Sequence, residues 1–214
     1  MKEFELLTIA AVQSRVVPLV ARLLEPNQFV ETQPLKWVDS TRAPIRRIFS
    51  YTQLKGGVMG PRWGYSFDFV PHLAAGKMKW HRTEKSADFD AWVDGQSVET
   101  NICYMYGEAG LLEGMDSRLE AAVQKAQDFW RTGEQDSAIY DQVVALSERP
   151  RAAIHVQLPI AAAFCHAQVG REEEARRAMA GFIERNEPRD DEIPKLWAAL
   201  EGVLKAVPNR SAVA

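Results

Sequence analysis

Asp68 and His72 stand four residues apart, and His81 follows nine residues further on. A carboxylate beside an imidazole fixes its tautomer and raises its basicity. A second imidazole across a hairpin would complete a set able to hold a divalent metal or to serve as a general base. Arg62, Lys79 and Arg82 lie close to these residues in sequence. The same arrangement also has a purely structural reading, in which Asp68 pairs with an arginine or accepts from a backbone amide and both histidines decorate the surface. Asp68, His72 and His81 are therefore the alternative catalytic set, and the sequence by itself implies no metal and no cofactor.

Other chemical motifs are absent. There is no G-x-x-x-x-G-K-[ST] loop, no G-x-G-x-x-G opening a helix, no H-E-x-x-H and no G-x-S-x-G. The glycine-rich, basic stretch 56–64 links two expected strands and opens no helix, so it lacks the amide cluster that phosphate cradles use. Cys165 and His166 are adjacent in an apolar helical run, and adjacent helical residues do not face one another. This reads as a buried structural thiol. Glu172, Glu173 and Glu174 follow a turn glycine, and Asp190, Asp191 and Glu192 precede Ile193; both acidic runs are expected to open helices.

The elements that must carry these residues fall into three zones. Residues 4–24 have Leu6, Ile9, Val16, Val20 and Leu23 at helical spacing, with Pro18 inside the run. Residues 28–93 are rich in aromatic and β-branched side chains, with expected strands at 29–32, 35–39, 45–54, 62–70 and 77–82. Gly56-Gly57, Gly60-Pro61, Pro71 and Gly76 punctuate them. The connections are too short for crossover helices, which predicts an antiparallel meander. Trp63, Tyr65, Phe67 and Phe69 alternate with Gly64, Ser66, Asp68 and Val70, so one strand face is aromatic. Such a face could stack on nucleic acid bases, but a sheet packed on helices must bury one face, and core is the stronger reading. Helices are expected at 119–131, 137–147, 155–169, 172–184 and 193–206, with a frayed tail at 209–214. The fold class is α+β, divided into 1–96 and 97–214 or forming one continuous unit.

In 119–150 the order is Ala126, Phe129, Gly133, Ala138, Ala145, Pro150; in 155–188 it is Ala163, His166, Gly170, Ala175, Met179, Phe182, Pro188. The pattern resembles the tetratricopeptide helix hairpin, a scaffold that holds other proteins. A small residue lets the paired helices approach, and glycine permits the reversal between them. The resemblance implies a C-terminal tetratricopeptide-like region packed with the N-terminal helix and meander. Residues 60–71, within that helix-and-meander zone, are similar to uncharacterised bacterial domains of unknown function, a likeness that carries no activity.

The chain has 214 residues, 46% of them apolar and 26% charged, with a net charge of −3. That is the composition of a globular protein with room for a sizeable core. Between Lys36 and Lys85 ten basic residues face three acids, while the remainder is acidic. A pI of about 5.9 argues against general nucleic-acid binding. Two cysteines make no disulfide framework, no run of about 18 apolar residues suggests a membrane span, and acids stand where a secretory signal needs positive charge. A bacterial cytoplasmic protein is expected. With no strong catalytic motif, the leading expectation is a protein-interaction module that meets an acidic protein partner through Arg46, Arg47, Arg62 and Lys79, and the reading leans against an enzyme. An enzyme, or a binder of metal or small ligand, is the alternative.

Overall fold

The computed structural model describes residues 4–74, 77–133, 135–149 and 156–207. In chain order these form α1 (Ile9–Leu24), β1 (Val30–Gln33), β2 (Lys36–Asp39), β3 (Ile45–Leu54), β4 (Val58–Phe67), β5 (Pro71–Ala74), β6 (Lys77–Trp80), β7 (Ala91–Asp94) and β8 (Ile102–Cys103). Then come α2 (Gly107–Leu112), α3 (Met115–Arg131), α4 (Asp136–Ser147), α5 (Gln157–Gln168), α6 (Glu172–Asn186) and α7 (Ile193–Ala206). The α+β class is as expected. Gly76, the Pro150-Arg151 connection, the expected helix start at His155 and the tail 209–214 lie outside the described residues.

Helix α1 begins later than its periodicity suggested because Thr8 caps it, its hydroxyl accepting from the Ala11 amide at 3.2 Å. Its buried stripe is Val12, Val16, Val20 and Leu24. Leu23 is only half-buried and Leu6 is exposed, so the stripe is rotated from the expected one. The helix runs through Pro18, whose side is exposed, and the carbonyl that loses its amide partner can turn to water.

The main sheet follows the order β1-β2-β3-β4-β7, with β8 also pairing to β4; β5 and β6 form a separate hairpin. The β1–β2 pairing is antiparallel, with a register shift between Glu31 and Gln33. Strand β4 starts at Val58, so Gly60 and Pro61 lie inside it and not in a connection. The reversal before it is carried by Gly56 and Gly57, both at positive φ, a conformation that glycine adopts without a Cβ penalty. Trp63, Tyr65 and Phe67 are buried as expected for core, but Gly64 and Ser66 are buried too. Gly64 and Ser66 of the face foreseen as small or polar are thus covered, while Asp68 and Phe69, past the end of β4, are only half-buried.

Contacts gather into two compact units that interleave along the chain. The first holds residues 1–65, 83–87 and 92–131; the second holds 66–82, 88–91 and 132–214. Helices α2 and α3 therefore belong with the first unit, and a boundary at residue 96 does not describe the clustering. In the first unit α1 packs on α3, and the Trp130 indole donates to the Gly64 carbonyl at 3.2 Å. In the second, α5 packs against α4, α6 and α7 and is almost wholly apolar, with Leu158, Ile160, Phe164 and Cys165 buried. Gly170, at positive φ, closes α5, and the Arg171 amide returns to the His166 carbonyl at 3.0 Å. Arg176 on α6 bonds both Glu172 and Glu201, joining α6 to α7.

Candidate functional site

The hairpin β5–β6 and the segment that follows it bring polar side chains together in the second unit. The hairpin register sets His72 opposite Lys79 and Pro71 opposite Trp80, which leaves His81 one residue past the strand end. The imidazoles of His72 and His81 stack with centroids 4.1 Å apart and planes 29° from parallel. One ring nitrogen from each and a carboxylate oxygen of Asp88 all lie within 4.8 Å of one another. His72 and His81 are half-buried and Asp88 is exposed, so the cluster opens to solvent on the Asp88 side.

Behind His72 lies Asp90, which has no exposed surface. Its Oδ1 sits 2.7 Å from His72 Nε2 and accepts from Gln157 Nε2 at 3.2 Å. Its Oδ2 accepts from the Phe67 amide at 2.6 Å. Gln157, the first residue of α5, also donates to the Pro71 carbonyl at 2.8 Å. Burial raises the Asp90 pKa, and the His72 contact, the Phe67 amide and Gln157 oppose that rise by stabilising the charged form. A buried carboxylate supplied with partners in this way orients the imidazole in front of it.

Two of the three residues in the alternative catalytic set thus converge and the third does not. Asp68 is absent from the donor cluster; its backbone carbonyl accepts from Arg82 Nε at 3.0 Å. Arg82 in turn lies over the Trp80 ring, 4.5 Å from its centroid. The carboxylates that do meet the histidines are Asp88 and Asp90, from a segment without regular structure. Their alternate spacing, with Phe89 between them, was the only trace available in the sequence, because nothing local brings residues 16 and 18 positions past His72 back to it.

The four residues expected to meet a partner do not form one exposed set. Arg46 on β3 is buried, with 5% of its surface exposed. Arg47 is half-buried, bonds the buried Asp39 at 2.7 Å and lies over the rings of Phe29 and Trp130. Arg62 pairs with Asp94 at 2.9 Å and lies over Trp92. Lys79 alone is exposed, and it belongs to the second unit. Cys165 is fully buried and its thiol pKa is pushed well up by burial, as a structural cysteine requires.

The fold and the site define an α+β protein with an antiparallel sheet and a two-histidine, one-carboxylate cluster beside a small hairpin. No protein family, curated protein or solved structure matches the chain. Among the described residues no helix is long and apolar enough to cross a membrane.

Proposed function

We propose that this protein binds a divalent transition-metal ion through His72, His81 and Asp88, with Asp90 as the residue that positions His72. The observation that carries the reading is the convergence of three donor atoms within 4.8 Å in front of a fully buried carboxylate. Contact with Asp90 through Nε2 leaves Nδ1 as the nitrogen that His72 offers to the ion. Two imidazoles and one carboxylate suit Zn²⁺, Fe²⁺ or Ni²⁺ better than Mg²⁺ or Ca²⁺, which favour all-oxygen shells. Three protein donors leave coordination positions for water or a small ligand, the pattern of reactive sites and not of closed structural ones.

Metal analysis of the purified protein and a thermal-shift series with divalent ions test this. Uptake of about one ion per chain, lost in His72→Ala/His81→Ala, supports the proposal. No uptake by the wild type, or equal uptake by the double variant, sinks it.

A second reading, the protein-interaction module, is favoured by exposed apolar side chains in the first unit. Phe4 has 70% of its surface exposed, Leu6 and Leu112 are also exposed, and the Glu5–Tyr106 bridge holds the Phe4 segment to the chain just before α2. Copurification of a discrete protein that disappears in Phe4→Asp/Leu6→Asp, with folding intact, would support it; copurification that is unchanged would remove it. Reversing Arg46 is not a usable test, because the charge would be buried.

A further inference from the structure

The second unit carries a separate cavity of about 730 Å³, walled by the end of α4, one face of α5 and one face of α6. Its size falls within the range of small-molecule sites. Arg149, Arg177 and Arg185 line it, and among the described residues none of them forms an ion pair. His166 also lines it, and the imidazole Nδ1 is buried with no hydrogen-bond partner among the described residues. Among the described residues, then, the His166 Nδ1 has no hydrogen-bond partner and the three exposed guanidinium groups have no ion-pair partner.

Gly181 adds an independent sign. It sits within α6, where glycine is disfavoured relative to alanine. Neither packing nor backbone geometry demands it: φ is not positive, and a Cβ there would meet nothing closer than Arg185 at 3.7 Å. What glycine does at this position is keep the cavity wall low. Ala162 and Ala178 line the same cavity and keep other parts of its wall small.

We infer that this cavity binds a small organic anion, its phosphate or carboxylate held by Arg177 and Arg185 and its apolar body lying against Gly181, Ala178 and Ala162. Guanidinium groups pair with both oxyanions through parallel N–H donors. Glu148 and Glu174 on the same rim repel an extended polyanion, which limits the ligand to a small one. The site does not depend on the metal cluster, which uses none of these residues.

Calorimetric titration with phenyl phosphate, benzoate and inorganic phosphate, in the presence of a chelator, tests the inference and separates the two head groups. Saturable binding of phenyl phosphate or benzoate is expected, weaker by at least tenfold in Arg177→Gln/Arg185→Gln. Gly181→Leu, which should fold because leucine favours helix and a Cβ fits there, is expected to abolish binding by filling the cavity. No saturable binding of any probe at about 10 mM, well above the 1 mM that corresponds to about −4.1 kcal/mol, would overturn the inference. So would equal affinity in the wild type and in both cavity variants.

Discussion

Asp90 shows how one side chain can decide both packing and chemistry. It accepts from Phe67, faces His72 and receives Gln157, all without exposure to water. Replacing it with alanine leaves the Phe67 amide buried without its partner, which should destabilise the protein by about 1–3 kcal/mol in denaturant titration. Asp90→Asn retains an acceptor for that amide but replaces the carboxyl group that faces His72. Metal affinity by competitive titration should then fall by about 10–100-fold, with stability largely kept. His166 gives a separate pH signature. Burial, with a contribution from Arg171, lowers its pKa below the ordinary 6.5. The unfolded chain therefore binds more protons than the native state just below that value, and stability present above pH 6.5 is lost as pH falls through the folded pKa. His166→Gln should flatten that fall, as read from urea midpoints between pH 5 and 8. A third check at this scale is thiol labelling: Cys103, half-buried, should react in the native protein, while Cys165 should react only on unfolding.

Secondary-structure elements differ sharply in how well local sequence specifies them. The helices from α3 onward lie close to where apolar periodicity and the punctuating glycines put them, because each is amphipathic or buried along its length and ends on a turn signal. The short strands β5 and β7 were not legible: four residues each give too brief an alternation, and β7 depends on β4, a partner distant in sequence. Strand β3 misled in another way, since it buries Arg46 where alternation would let a cation face water. Glycine substitution separates the two kinds of constraint. A Cβ on Gly95 would run into the Trp63 ring, whereas one on Gly202, within α7, would meet nothing within 4 Å. Gly95→Ala should cost about 1–3 kcal/mol through displaced packing, and Gly202→Ala should stabilise by up to about 1 kcal/mol through helix propensity. Thermal melts of the two variants should move in opposite directions.

For the whole molecule, the α+β class was readable because helical and strand textures occupy different stretches of the chain. The interleaving of the two units was not, since residues 83–87 and 92–131 join the first unit from within a stretch that looks continuous with the second. The candidate site suffers the same limit: its histidines share a hairpin, but its carboxylates arrive from the return segment. A metal at about 100 times its Kd should stabilise the protein by about 2.7 kcal/mol. Hydrogen exchange should localise that gain to 66–82 and 88–91, leaving 30–54 in the first unit unchanged. A further consequence lies at the margin of the main sheet. Strand β1 ends the strand order, is only four residues long and loses register between Glu31 and Gln33. A short, irregular border with a charged side chain is a poor template for strand addition by another molecule. That margin should resist fibril-like self-assembly, and straightening it by deleting one residue of the irregularity should make the protein aggregate faster in concentrated solution.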